Sequence, residues 1–164
     1  MTRKSRDITH DRIVNLLFKL VDADPDYKEK EYMSKANPIH VKFKKDVKEY
    51  HPDIWAKTKK TNEIDIYEVW NSEEEREACS DILHAACVDN VKYLSIVCVK
   101  NFRFQDPWDK EYAKKLVRIF VNRIRDTSNQ LLLKPENVYY AEIGKSELND
   151  DKKVLRSLRK QLHF

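Results

Sequence analysis

His51-Pro-Asp-Ile-Trp-Ala-Lys-Thr-Lys-Lys-Thr-Asn-Glu-Ile-Asp-Ile-Tyr-Glu-Val-Trp70 is the stretch on which the reading of this chain turns. Residues 64–70 are rich in β-branched and aromatic side chains, which suit a pleated, packed surface, and are expected to form a strand. Residues 54–58 make a shorter strand candidate. The intervening Lys59-Lys60-Thr61-Asn62 is polar and short, the composition of a hairpin connection. With Lys60-Thr61 as a two-residue turn, facing residues carry numbers that add to 121, so Asp53 lies opposite Glu68. Directly opposed side chains project to one face roughly 5 Å apart. With Thr61-Asn62 as the turn, the two acids become diagonal neighbours on that same face. Only an odd-length turn or a bulge separates them, because a one-residue slip flips every side chain. Their expected neighbours, Trp55, Ile64, Ile66 and Trp70, are apolar. Two carboxylates in such company repel each other and are costly to desolvate. A divalent cation relieves both costs, and oxygen-only ligation suits Mg²⁺ or Mn²⁺.

Working outward, residues 13–21 place Ile13, Val14, Leu16, Leu17, Leu20 and Val21 at helical spacing, with Thr9 as the expected N-cap. Asp11 is the one carboxylate well inside this helix. Residues 27–37 read as polar and irregular. Residues 39–48 alternate, with Val41, Phe43 and Val47 expected on one side and His40, Lys42, Lys44 and Asp46 on the other. They are expected to precede the hairpin as the first strand of a three-strand meander. Ser72 with Glu75 forms a capping box for the next helix. Residues 91–99 are nearly continuous apolar sequence, as in a strand buried on both faces. Asp106-Pro107-Trp108-Asp109 opens another helix, residues 138–143 form a further strand before Gly144, and a last helix starts near Asp150. The expected order is αβββαβαβα, an α/β domain spanning residues 1–164 around a mixed five-stranded sheet.

Pro52-Asp53 followed by Glu68-Val69-Trp70 resembles the hairpin of the restriction-endonuclease-like superfamily, the PD-(D/E)xK nucleases, and the element order resembles that fold as well. In that family the hairpin carries an Asp, then an acid two residues before a Lys, around a catalytic Mg²⁺. The resemblance implies that Asp53, Glu68 and the carbonyl of Val69 hold Mg²⁺ or Mn²⁺. Trp70 stands where the family has its lysine. Lys57, which has the parity of Asp53, and Arg76 on the following helix are the nearest candidates for the missing basic group. The implied activity is metal-dependent hydrolysis of phosphodiester bonds in DNA, with RNA and branched DNA as further substrates. The alternative is a nuclease-fold module without chemistry that binds nucleic acid or a protein partner. Relatives in this family often dimerise, so a homodimer is a possible assembly.

Composition supports these expectations without specifying them. The chain has 164 residues, 37% charged and 41% hydrophobic, with a net charge of +4 and a single glycine. That is a charged globular composition rather than a disordered one. Residues 28–60 hold ten lysines against five acids, an excess abutting the acidic hairpin. Lys42, Lys44, Lys45, Lys59 and Lys60 are the expected contacts to a phosphate backbone. Cys79, Cys87 and Cys98 sit in apolar segments and read as small buried hydrophobes. With no membrane-length apolar run or signal-like segment, the expected compartment is a reducing cytoplasm.

Overall fold

The computed structural model describes residues 8–32, 37–43, 46–71, 75–99, 110–124 and 133–164. The apolar strand β6 (Val91–Val99) and the strand β5 (Ile64–Trp70) lie side by side and parallel at the centre of the architecture. Both are buried almost throughout, as their sequences require of strands covered on two faces. β4 (Ile54–Thr58) pairs antiparallel with β5, and β1 (Tyr27–Tyr32) pairs antiparallel with β4. β7 (Val138–Ile143) pairs parallel with β6. The chain is therefore α/β, with a mixed sheet of five strands in the order β1-β4-β5-β6-β7 and four helices among the described residues.

Helices α1 (Ile8–Ala23) and α4 (Asp151–Gln161) cover one face of this sheet, and α2 (Glu75–Ala86) and α3 (Lys110–Ile124) cover the other. α1 buries the apolar stripe its spacing announced, from Ile13 to Val21. α4 starts at Asp150, whose side chain accepts from the amides of Lys152 and Lys153, and it buries Val154 and Leu158. Parity divides β5 between the two cores. Tyr67 and Val69 face α1 and α4, while Ile66 and Trp70 face α2 and α3.

Two expectations about the first strands need correction. The first strand of the meander is β1, which sequence reading treated as irregular, and not the 39–48 segment. That segment reverses direction between β2 (Ile39–Phe43) and β3 (Asp46–Tyr50), which form a separate two-stranded sheet. Val41 pairs with Lys48, and Lys42 with Val47. Opposed residues share a face, so the reversal puts Val47 on the face opposite that of Val41. Val41 is accordingly buried while Val47 is 58% exposed. At the helix ends, Thr9 lies inside α1, which begins at Ile8. The expected capping box at Ser72 and the helix start at Asp106 lie outside the described residues, as do Lys44, Lys45 and Trp108.

Candidate active site

The hairpin has the register read from the sequence. Ile54 faces Tyr67, Trp55 faces Ile66 and Lys57 faces Ile64, each pair adding to 121. The amide of Thr58 donates to the carbonyl of Glu63 at 2.9 Å, which extends the same register to the four-residue connection. Asp53 immediately precedes β4 and therefore stands beside Glu68. The two are brought together closely. The Asp53 amide lies 3.4 Å from Glu68 Oε2, and the Val69 amide donates to Asp53 Oδ2 at 2.8 Å.

The backbone at Val69 is also disposed toward this spot. Along a strand, successive residues direct their N–H and C=O to alternate edges. Ile64 donates toward Asn90 on the β6 side, and the Glu63 carbonyl accepts from β4. Odd-numbered residues of β5 thus address β4, and the carbonyl of Val69 leaves the strand on the same edge as the amide that Asp53 binds.

Four groups that sequence reading did not assign complete the surroundings. Tyr50, at the end of β3, donates to Glu68 Oε1 at 2.5 Å and stacks on His84 of α2, ring centroids 5.4 Å apart. Asp81 of α2 accepts from the Trp70 indole N–H at 3.2 Å. His10 of α1 sets Nε2 3.2 Å from Asp53 Oδ2 and Nδ1 3.3 Å from Asp11 Oδ1. Asp11, the acid noted in that helix, therefore reaches the site through His10. None of these long-range approaches leaves a local sequence signal, because each depends on how a helix or the β2–β3 hairpin packs.

Electrostatics single out Glu68. It is 5% exposed, and burial raises its pKa well above the usual glutamate range, with Asp81 and then Asp53 adding like-charge repulsion. The hydrogen bonds from Tyr50 and the Asp53 amide oppose this in part. Tyr50 is itself pushed up by burial and by Glu68, so it stays a neutral donor. A buried carboxyl flanked by two other carboxylates is the arrangement in which a cation has most to offset. No group of three or more His, Cys, Asp or Glu side chains among the described residues is disposed to hold a metal ion alone. Two carboxylates and a backbone carbonyl, completed by water and substrate oxygens, is nevertheless a donor set that Mg²⁺ accepts.

The other expected site residues fall elsewhere. Lys57 is four residues along β4 from Asp53, about 13 Å at the rise of a strand. Lys59 and Lys60 are exposed in the hairpin connection. Lys42 belongs to β2 through its backbone pairing with Val47. Trp70 is buried at 1% exposure, whereas Trp55 is partly exposed, its indole donating to the Asn37 carbonyl at 3.2 Å.

Asp65, three residues before Glu68, has the opposite parity, as expected. On that face the Tyr93 backbone, Lys92 and His163 stand near it, as expected, and a tyrosine hydroxyl is added to them. Tyr27 donates to Asp65 Oδ2 at 2.5 Å, and the Tyr27 and Tyr67 hydroxyls are 2.7 Å apart. His163 Nε2 closes the group at 3.1 Å from the Tyr67 hydroxyl.

No protein-family model matches the chain, and no curated protein or solved structure matches it. No described helix is long and apolar enough to cross a membrane.

Proposed function

We propose that the chain is a divalent-cation-dependent nuclease of restriction-endonuclease-like fold, hydrolysing phosphodiester bonds in DNA. Asp53, Glu68 and the Val69 carbonyl would hold Mg²⁺ or Mn²⁺. The observation that carries this reading is the hairpin register, which puts Asp53 beside the buried Glu68. When bound, the ion supplies charge stabilisation at the scissile phosphate and acidifies a coordinated water.

The chain's own groups have three tasks. Tyr50 and the Asp53 amide fix the Glu68 carboxylate from both of its oxygens. The Val69 amide fixes Asp53 in turn. His10 faces a carboxylate oxygen from each ring nitrogen, and only the doubly protonated ring donates to both. In that form it brings a positive charge beside Asp53, the contribution that Trp70 cannot make. His10 is better placed for that role than Lys57.

A second reading is a nucleic-acid-binding module of the same fold without hydrolysis. It is favoured by Trp70, which fills the lysine position with a buried indole bonded to Asp81. A cleavage assay with Mn²⁺ on single-stranded, duplex and branched DNA, run beside Glu68→Gln protein, decides between them. Loss of about 100-fold or more in the variant is expected if the carboxylate holds the ion. Equal cleavage by both proteins removes the nuclease reading, and binding without cleavage supports the module.

A further inference from the structure

α4 has a second property that its role in the core does not use. Lys152, Lys153, Arg156, Arg159 and Lys160 are all exposed. At 100° per residue they occupy one arc of about 120°, over roughly 12 Å of helix. Val154 and Leu158, on the opposite side, are fully buried. The acids nearby are already engaged. Asp150 caps the helix, Asp151 accepts from Arg12, and Glu147 Oε2 accepts from the Gly144 amide at 2.8 Å. None of the five basic side chains is in an ion pair with a described residue. The result is a strip with an excess of positive charge, five cations against Glu147 and Asp150.

The strip is grooved. Lys153, Arg156 and Lys160 line a hollow of about 490 Å³ together with Glu147, Ser157 and Gln161. Lys152 lines a second hollow, of about 650 Å³, with Arg12, Asn149, Asp150 and Asp151. Arg12 donates to Asp151 and to the Leu148 carbonyl, which latches the first turn of α4 beside the turn of α1 that carries His10. The basic surface thus runs from the far end of α4 to Arg12 on α1.

We infer that this face of α4 is a docking surface for the phosphate backbone of nucleic acid. Closely spaced Lys and Arg are what a polyanion recognises, and arginine adds bidentate contact to phosphate oxygens. An anionic lipid surface fits less well. Insertion of an apolar helix face would add to the electrostatic attraction there, and the apolar face of α4 is committed to the core. The docking does not rest on the nuclease reading.

The test is fluorescence anisotropy with labelled single-stranded and duplex oligonucleotides in EDTA, comparing wild type with Arg156→Glu/Arg159→Glu/Lys160→Glu. The variant is expected to bind at least about tenfold more weakly near 0.1 M salt. If each side chain neutralises one phosphate, its salt slope on duplex falls by about 2.7. Equal affinity and slope overturn the inference, as does wild type that sediments with phosphatidylserine vesicles but binds neither oligonucleotide. Circular dichroism checks that the variant is folded, and Arg156→Gln/Lys160→Gln gives the same reading if it is not. Docking without cleavage would strike the nuclease reading alone, and binding unchanged in the α4 variants beside intact cleavage would strike the docking surface alone.

Discussion

Glu68 and Asp65 are buried acids three residues apart on one strand, and they face opposite sides of the sheet. Their company differs. Asp65 accepts from the Tyr27 hydroxyl and lies within a network of Tyr27, Tyr67 and His163. Its pKa is pushed up by burial to about 6, with the Tyr27 hydrogen bond and Lys92 pulling it back. Glu68 has a tyrosine donor too, but its charged neighbours are Asp81 and Asp53. Equal burial therefore gives two different groups. Asp65 has a tyrosine donor and a lysine that favour its charge, although its Oδ1 is buried without a hydrogen-bond partner, while Glu68 has like charges on two sides, which the proposed cation would offset.

The largest effect that could break this contrast lies at Asp65. Replacing it with Ala leaves the Tyr27 hydroxyl without its carboxylate acceptor in a buried place. The expected loss is about 2 kcal/mol in urea denaturation, from a lost hydrogen bond to a charged group, with Tyr67 and His163 still beside the hydroxyl. Unchanged stability would mean that the tyrosine network is not structural.

A smaller effect separates the two acids by their response to pH. Glu68 binds its proton more tightly folded than unfolded, so its contribution to stability is full in acid and declines as pH rises past the ordinary glutamate range. The decline is at most about 1.4 kcal/mol per pH unit for one proton. Without metal, Glu68→Gln is expected to flatten this slope, and denaturation at a series of pH values would read it. A slope unchanged in the variant would show that Glu68 is not the strained carboxyl.

The smallest effect is a near cancellation on the Asp65 side. Asp65, raised to about 6, loses stabilising effect as pH rises from its ordinary value of 3.8. His163, lowered by burial to about 4, loses it as pH falls from its ordinary 6.5. These opposite slopes overlap, so the network's net contribution should change by less than about 1 kcal/mol between pH 4 and 6. His163→Phe should uncover the Asp65 slope, with stability falling as pH rises through that window. A variant as flat as wild type would separate His163 from Asp65.

Much of this contrast was legible in the sequence. Strand parity alone put Glu68 and Asp65 on opposite faces, and Lys60-Thr61 as the turn put Asp53 beside Glu68. The limits were physical. β1 reads Tyr-Lys-Glu-Lys-Glu-Tyr, a strand at the edge of the main sheet whose charged side chains show no apolar period, so its strand character comes from main-chain pairing with β4. The alternation over residues 39–48 concealed a reversal, because both arms of a hairpin alternate in the same way. Asp81, Tyr50 and His10 reach the site through tertiary packing, which no local window encodes.

The central claim is that Asp53 and Glu68 share a divalent ion. Thermal denaturation at neutral pH with and without Mn²⁺ tests it directly in wild type, Glu68→Gln, Asp53→Asn and Asp65→Asn. At ten times the dissociation constant, the ion should add about 1.4 kcal/mol of stability, a rise of a few degrees in Tm. The account predicts that rise in wild type and Asp65→Asn, and its loss in Glu68→Gln and Asp53→Asn. The same rise in all four proteins, or in none, would contradict it.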